Sequence, residues 1–340
     1  MIETRRAATA VLLMASLALA ILVPTTARAA PEVDPTACRT QLDAGRQRLP
    51  VTSQGLTYGV LVHLPRRLAT KTRLVPLVVN LHGSTQSGAA SLDSTRLDRA
   101  ADRHGFIVAS PDGGIPRLPI PTGGPGYFWN VPDSPMVGDL PVPPGSRDDV
   151  RFLLDLVRTL QRRACIDPRR TYLTGASNGG RMTSAMACLH ADVFAAVAPV
   201  AGVRAGYPDA RCQPVRPIPL LAAHGRRDPV NPYEGNGRDS ESWGYGVEEA
   251  MRRWARVDGC APRPRARRTT TTITTLSWHG CEPGADVVLV RSRTGGHGWI
   301  GHPTPPPFNL ASGPDDLSLD LNDVIWDFFA SHPLSARAPR

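Results

Sequence analysis

The chain has 340 residues, of which 41% are hydrophobic and 20% are charged, with 34 Pro and 31 Gly. This composition is typical of a globular protein and excludes a disordered chain, a coiled coil and a collagen-like repeat. The net charge of +9 comes from arginines spread along the sequence, since Lys71 is the one lysine. This even distribution does not predict a surface that binds nucleic acid.

The first 29 residues have the pattern of a secretory signal peptide. Two arginines at positions 5 and 6 precede an apolar run over residues 7–23, and Ala27-Arg28-Ala29 matches an A-x-A cleavage site. The apolar run ends at a proline and fits a cleaved signal better than a membrane span. We therefore expect a secreted protein without a membrane anchor after cleavage, exported by the general secretory route or by the twin-arginine route.

Strand and helix patterns alternate in the first part of the mature chain. Strands are predicted by the alternation over residues 58–64 and by the apolar runs at 74–81 and 106–110, and a helix by the spacing over 92–104. Residues 115–144 carry nine prolines, and we expect no regular element there. A loop of this length is either the border of an active site or a surface insertion.

The second part of the chain continues the alternation. A helix-start pattern at residues 146–149 precedes a helix with one apolar face. Further helices are predicted at 177–190 and 321–329, and further strands at 171–174, 194–201, 219–223 and 286–291. The threonine-rich residues 269–275 predict an edge strand beside the last of these, and the arginine run at 263–268 predicts a solvated loop. The alternation predicts one α/β domain over residues 30–340, with a mainly parallel sheet covered by helices on both faces.

Six cysteines in an exported chain, with no C-x-x-C motif, predict disulfide bonds rather than a metal site. The pairs favoured by proximity in sequence are Cys260 with Cys281 and Cys188 with Cys212, which leaves Cys38 for Cys165. The alternative is that one pair stays reduced and buried. The nine histidines show no spacing typical of zinc ligands, so no metal is expected.

The segment Gly175-Ala176-Ser177-Asn178-Gly179 is the one G-x-S-x-G motif of the sequence, and it lies between a predicted strand and a predicted helix. A serine hydroxyl is a weak nucleophile at neutral pH, and a sharp turn flanked by small residues exposes it for reaction. Ser177 is therefore the candidate nucleophile. The expected oxyanion donors are the N–H of Asn178 and an N–H near Ser84, which follows a predicted strand. The alternative is a glycine-rich turn without chemistry.

The acid and the base of such a site are expected after the serine, in the order Asp or Glu and then His. Asp228 follows one predicted strand, and His297, with glycine on both sides, follows another. Both lie at the carboxyl ends of strands, where open α/β sheets place their sites. His279, His302 and His332 are the alternatives for the base, but no predicted strand immediately precedes them.

Together these motifs resemble those of secreted α/β-hydrolase esterases of the polyhydroxybutyrate depolymerase and feruloyl esterase type, similar to carbohydrate esterase family 1. The matching motifs are LHG at 81–83, WN at 129–130, DDVRFL at 148–153, TGASNGG at 174–180, FAAVAPVAG at 194–202, HGRRD at 224–228 and GGHGWIG at 295–301. The resemblance implies the α/β-hydrolase fold, with Ser177 as nucleophile, Asp228 as acid and His297 as base. It also supports two of the cysteine pairs, Cys188 with Cys212 and Cys260 with Cys281.

The sequence departs from the family at two positions. Ser84 stands where relatives often carry Cys or Gly, and Arg181 where they often have an apolar residue. Trp129, Tyr233 and Trp299 are the candidate substrate-binding residues.

We therefore expect a secreted serine esterase that acts through an acyl-enzyme on a small or oligomeric ester, with no cofactor, metal or nucleic-acid partner. Polyhydroxybutyrate-type, feruloyl and acetyl esters are the candidate substrates. A serine peptidase or an acyltransferase would use the same three residues, and a non-catalytic binding protein would keep the fold without turnover.

Overall fold

The structure is a computed structural model that describes residues 38, 40–117, 125–136, 139–204, 212–236, 243–306 and 309–335. The expected signal peptide, residues 1–29, lies outside the described residues, as do parts of the proline-rich segment 115–144. Within the described ranges, no helix is long and apolar enough to cross a membrane.

Ten of the strands form one twisted sheet, and two short strands pair separately. In chain order the strands are β1 (Gly45–Ser53), β2 (Leu56–Leu64), β3 (Val75–Leu81), β4 (Ile107–Ser110), β5 (Ile115–Pro116), β6 (Tyr127–Phe128), β7 (Ile166–Ala176), β8 (Val197–Val200), β9 (Leu220–Gly225), β10 (Arg265–Arg268), β11 (Ile273–Trp278) and β12 (Val287–Ser292). The order across the large sheet is β1-β2-β4-β3-β7-β8-β9-β12-β11-β10.

The centre of the sheet is parallel and its two edges are antiparallel. Strands β4, β3, β7, β8, β9 and β12 run parallel to one another, whereas β1 and β2 at one edge and β11 and β10 at the other add antiparallel pairs. All seven residues of β3 are buried. A strand covered on both faces needs apolar side chains at nearly every position, which explains the continuous apolar run in this part of the sequence.

Helices cover both faces of the sheet. They are α1 (Gly88–Thr95), α2 (Leu97–His104), α3 (Asp149–Arg163), α4 (Asn178–Leu189), α5 (Val247–Val257), α6 (Asn309–Ser312) and α7 (Leu321–Ser331). Apolar residues of α3, α4 and α5 pack in one cluster with Leu77 and Val79 of β3, whereas those of α1, α2 and α7 pack in a second cluster with Val78. Because side chains alternate along a strand, the two clusters lie on opposite faces. The predicted mainly parallel sheet with helices on both faces is confirmed.

Three local predictions differ from the structure. The predicted helix over 92–104 is two helices, because Arg96 adopts a left-handed conformation with φ 53° and ends α1. The helix-start pattern at residues 146–149 predicts a cap at its first residue, Ser146, but the cap of α3 is Asp148, whose side chain accepts a hydrogen bond of 3.0 Å from the Arg151 N–H. Within the segment expected to lack regular elements, β5 and β6 pair with each other.

The edge of the sheet formed by β11 and β10 also differs from the prediction. The arginine run forms strand β10 rather than a loop, although all four of its residues are exposed, as expected. Strand β11 therefore lies inside the sheet, where Ile273 and Trp278 are buried. Helix α5 is not among the predicted helices, although four of its buried residues follow helical spacing: Val247, Ala250, Met251 and Trp254.

Three disulfide bonds link Cys38 to Cys165, Cys188 to Cys212 and Cys260 to Cys281. Proximity in sequence favours the second and third of these pairs, and the first is the pair that then remains. The first bond attaches the amino-terminal segment to the residue before β7. Its cysteines are 127 residues apart in sequence, so of the three bonds it closes the longest loop. Closing a long loop limits the conformations of the unfolded chain and thereby stabilises the folded one.

Candidate active site

Ser177 occupies a strained turn between β7 and α4. Its φ is 55° and its ψ is −116°, a backbone conformation that is unfavourable for any residue with a side chain. The surrounding hydrogen bonds hold it, since the Ser177 N–H donates to the Val200 carbonyl at 2.8 Å and the Ser177 carbonyl accepts from the Arg181 N–H at 3.0 Å. The strain is therefore compensated by neighbouring structure, as expected where a side chain must be held in one direction.

Two glycines allow the backbone to approach this turn closely. A Cβ at Gly179 would overlap the carbonyl oxygens of Leu81 and His82, and a Cβ at Gly202 would overlap the carbonyl oxygen of Ser177. The end of β3, the turn at Ser177 and the segment after β8 can therefore pack together only when these positions lack side chains.

Asp228 and His297 are in direct contact. The His297 Nδ1 donates to Asp228 Oδ2 at 2.7 Å, while Asp228 Oδ1 accepts from the N–H groups of Val230 and Asn231 at 2.9 and 2.8 Å. The two residues meet because β9 and β12 are parallel neighbours, and the loops after these strands are joined by a hydrogen bond of 2.9 Å from the Arg227 N–H to the Gly295 carbonyl. Asp228 therefore orients the imidazole ring.

A second histidine, His224, also contacts Asp228, and sequence analysis did not assign it a role. Its Nε2 lies 3.1 Å from Asp228 Oδ2 and 2.9 Å from the Asn231 carbonyl, and its ring stacks on Trp243 with centroids 5.6 Å apart. Burial alone would raise the pKa of Asp228, but the hydrogen bonds from His224 and His297 hold it well below its usual range. The carboxylate is thus kept ionised. His224 precedes Asp228 by four residues in the same motif, but this spacing alone does not predict that the two side chains meet.

A cavity of about 190 Å³ joins Ser177 to His297. Both residues line it, together with Ser84, Trp299 and His302. The structure therefore brings the candidate nucleophile and the candidate base to one space, with Asp228 bonded to His297 behind it. Of the alternative bases, His302 lines the cavity, but its Nε2 lies 3.0 Å from the Asn322 amide nitrogen.

The other two alternatives for the base do not line this cavity. His279 is exposed after β11, and His332 bonds Asp286 at 2.9 Å.

The two candidate oxyanion donors lie at the ends of different elements. Asn178 is the first residue of α4, so its N–H has no acceptor within the helix. In the loop formed by residues 83–86, the N–H groups of Gly83, Thr85 and Gln86 donate to Gln86 Oε1, the Tyr127 carbonyl and the Gly83 carbonyl. Among the described residues the Ser84 N–H donates to no protein acceptor. Ser84 and Ser177 line the same cavity, so this unpaired N–H remains a candidate oxyanion donor.

His82 holds the 83–86 loop in place. Its Nδ1 donates to the Gly83 carbonyl at 2.7 Å, its Nε2 accepts from the Gly113 N–H at 2.9 Å, and its own carbonyl accepts from the Trp129 indole at 2.9 Å. Complete burial lowers the pKa of His82 to about 4. The neutral ring can therefore both donate and accept, and it shapes the loop rather than reacting.

The three aromatic candidates for substrate binding have different positions. Trp129 and Tyr233 are buried and do not line the cavity, so their assignment as substrate contacts does not fit the structure. Trp129 instead supports His82, and the Tyr233 hydroxyl bonds Glu248 at 3.0 Å. Trp299 does line the cavity, with its indole N–H donated to Asn322 at 3.0 Å. A residue's presence in a family motif does not show whether its side chain lines the cavity or packs behind the residues that do.

Comparisons with known proteins identify the relatives of this chain. The chain is 31% identical over 245 residues to feruloyl esterase B of Piromyces equi, a match that covers 70% of the chain and 42% of that protein. It is 30% identical over 269 residues to the putative esterase NocK of Nocardia uniformis subsp. tsuyamanensis, covering 74% of the chain and 73% of that protein. The chain belongs to the α/β-hydrolase esterases of the polyhydroxybutyrate depolymerase and feruloyl esterase type.

A solved structure and a family model agree with the fold of this esterase family. The acetyl xylan esterase from Aspergillus awamori superposes with a TM-score of 0.56 at 16% identity, covering 84% of the chain and 99% of that structure. This similarity confirms the predicted α/β-hydrolase fold. The model of the prolyl oligopeptidase family matches residues 147–205, the region that contains Ser177. The chain spans less than half the length of feruloyl esterase B of Piromyces equi.

Proposed function

We propose that the chain is a secreted serine esterase whose catalytic residues are Ser177, His297 and Asp228. The observation that carries this proposal is the 2.7 Å bond between Asp228 and His297 at a cavity that Ser177 also lines. In the proposed organisation, residues 1–29 are the signal peptide and residues 30–340 the catalytic domain. The three disulfide bonds support an oxidising destination, because such bonds persist outside the reducing cytosol.

The proposed reaction proceeds through an acyl-enzyme. His297 accepts the proton of the Ser177 hydroxyl while the serine oxygen attacks the ester carbonyl, and Asp228 stabilises the resulting imidazolium. The N–H groups of Ser84 and Asn178 hold the oxyanion of the tetrahedral intermediate. His297 then returns the proton to the departing alcohol. Water, activated by the same histidine, attacks the acyl-enzyme and releases the acid.

The names of the relatives indicate the substrate class. Feruloyl and acetylxylan esters join a carboxylic acid to the hydroxyl of a polysaccharide, and poly(3-hydroxyalkanoate) joins hydroxyacids to one another. We propose esters of the first kind, in which a small acyl group occupies the cavity beside Ser177. A cavity of about 190 Å³ has room for a small acyl group.

The proposal is tested by replacing the nucleophile. In pure folded protein, Ser177→Ala should lose several orders of magnitude of esterase activity, because residues of a triad act as a unit. The assay uses p-nitrophenyl acetate, butyrate and 3-hydroxybutyrate, methyl ferulate and acetylated xylo-oligosaccharides. Circular dichroism and the thermal unfolding midpoint show that the variant is folded. A variant that retains more than about a tenth of the wild-type turnover would contradict the assignment.

A serine peptidase is the second candidate, because the prolyl oligopeptidase family model matches residues 147–205. This match covers the region around the serine, which esterases and peptidases of this fold share. Peptide anilides assayed beside the p-nitrophenyl esters distinguish the two activities. A fluorophosphonate probe that labels the wild type and spares Ser177→Ala shows an activated serine in either case. Absence of labelling would instead indicate a non-catalytic binding protein.

A further inference from the structure

We propose that a second cavity, separate from the one at Ser177, binds the saccharide chain of the substrate. It has a volume of about 390 Å³, and its principal lining residues are Arg48, Tyr58, Asp112, Tyr127, Arg147 and Phe152. We call it the tyrosine–arginine cavity. It shares no lining residue with the cavity at Ser177. This inference rests on the proposed function, since it concerns the polysaccharide alcohol of the ester.

Arg147 is a rigid hydrogen-bond donor in this cavity. Its Nε donates to Asp149 Oδ1 at 2.6 Å and its Nη2 to the Asp112 carbonyl at 2.7 Å, and its guanidinium carbon lies 3.6 Å from the centre of the Phe152 ring. Only 6% of the side chain is exposed. The structure gives its remaining nitrogen, Nη1, no hydrogen bond to any described residue. A donor fixed in this way binds a ligand without further ordering of the side chain.

The charges around the tyrosine–arginine cavity favour a neutral ligand over an anion. The guanidinium of Arg147 is compensated by Asp149, whose side chain is fully buried beside it. Arg48 and Asp112 then contribute one positive and one negative group to the lining. A carboxylate or phosphate ligand would therefore find no excess of positive charge, whereas sugar hydroxyls both donate and accept hydrogen bonds and suit this mixture.

The aromatic lining matches the apolar faces of a sugar ring. Tyr58 and Tyr127 are partly exposed and provide ring surface to the cavity, whereas the Phe152 ring is buried behind the Arg147 guanidinium and supports it. Pyranose rings have apolar C–H faces and a rim of hydroxyl groups. Aromatic side chains that pack on the faces, with planar polar groups that bond the rim, are therefore complementary to this ligand.

The tyrosine–arginine cavity is connected to the reaction site through the 83–86 loop. The Tyr127 N–H donates to the Gln86 carbonyl at 2.8 Å, and the Tyr127 carbonyl accepts from the Thr85 N–H at 2.9 Å. The other side of this loop lines the cavity at Ser177 through Gly83, Ser84 and Gln86. The same loop therefore borders the cavity at Ser177 and bonds a lining residue of the tyrosine–arginine cavity, and in this proposal the sugar units beyond the ester extend past the loop into the second cavity.

The test is a calorimetric titration of Ser177→Ala with unesterified xylotetraose, which requires no turnover. In this background Arg48→Gln and Tyr127→Leu should each weaken binding by about fivefold or more, the effect of losing one hydrogen bond or ring contact. Arg46→Gln is the matched control, because Arg46 lies two residues away on β1, pairs with Asp93 and Asp98, and lines neither cavity. It should leave binding unchanged.

The outcomes separate this inference from the esterase proposal. No heat of binding with xylotetraose, or binding that both cavity variants leave unchanged, would overturn the subsite even if the wild type hydrolyses esters. Tetragalacturonate that binds in place of xylotetraose would overturn the assignment of a neutral ligand. In the active enzyme, Tyr127→Leu should lower the ratio of kcat/KM for acetylated xylotetraose to kcat/KM for p-nitrophenyl acetate, and an unchanged ratio would also contradict the subsite.

Discussion

Asp258 is a fully buried carboxyl group at the end of α5, and its ionisation should oppose folding at neutral pH. Its Oδ1 accepts a hydrogen bond of 3.0 Å from the Ile218 N–H, but its Oδ2 is buried with no partner among the described residues. Burial raises the pKa of Asp258 from 3.8 to about 7, although the Ile218 N–H and the charge of Arg216 act in the opposite direction. The folded protein therefore holds a proton that the unfolded chain releases.

The sign and size of the effect follow from this pKa difference. Between pH 4 and pH 7 the folded state binds more protons than the unfolded state, so the free energy of unfolding falls as the pH rises. Each pH unit contributes about 1.4 kcal/mol, and the interval from pH 5 to the pKa of about 7 spans two units. Between pH 5 and pH 8, Asp258 should therefore cost the wild type about 3 kcal/mol.

Asp258→Asn removes this cost, because asparagine keeps the acceptor for the Ile218 N–H and cannot ionise. We expect the variant to gain about 3 kcal/mol of stability relative to wild type when both are moved from pH 5 to pH 8. The measurement is urea unfolding followed by tryptophan fluorescence, with the disulfides kept intact. Asp327→Asn, an exposed change on α7, is the control and should show no such difference. A stability difference that is equal at both pH values would refute the reasoning.

Three further predictions concern buried polar groups at and near the candidate site. Arg181→Met should raise the free energy of unfolding by about 1–4 kcal/mol, because Nε and Nη1 of this arginine are buried without partners, and a lower midpoint in thermal unfolding would contradict this. His224→Phe keeps an aromatic ring against Trp243 but loses the contact with Asp228, so we expect kcat for p-nitrophenyl acetate to fall by about tenfold to a hundredfold. Asp228→Asn should lower the same kcat by about four orders of magnitude. If His224→Phe lowered kcat by as much as Asp228→Asn, His224 would do more than position the carboxylate.

The loops of the candidate site could be located from sequence because strand ends have recognisable patterns. Ser177, Asp228 and His297 each follow a short apolar run, and the carboxyl ends of parallel strands meet at one edge of a sheet. The contact of His224 with Asp228 could not be predicted in this way. It depends on how the chain turns back after β9 and brings the Asp228 carboxylate to the His224 side chain on the strand, and no sequence pattern marks this return.

Conformations without a sequence signal account for the errors in the fold. Arg96 adopts a left-handed conformation that usually requires glycine or asparagine, so nothing in its sequence marks the break between α1 and α2. Strand β10 is composed of three arginines and one alanine and has no alternating apolar pattern. Its pairing with β11 comes from the neighbouring strand rather than from its own side chains.

The arginines at both edges of the ten-stranded sheet affect how copies of the protein meet one another. The outermost strand of any open sheet has unpaired N–H and C=O groups that can pair with the edge of another molecule. Here β1 carries Arg48, and β10 carries Arg265, Arg267 and Arg268, whereas Arg46 of β1 is paired with Asp93 and Asp98. Bringing two such edges together would place like charges in contact and remove them from water. The sheet therefore ends in charged strands that oppose edge-to-edge aggregation, including in partly unfolded chains whose helices have separated from the sheet.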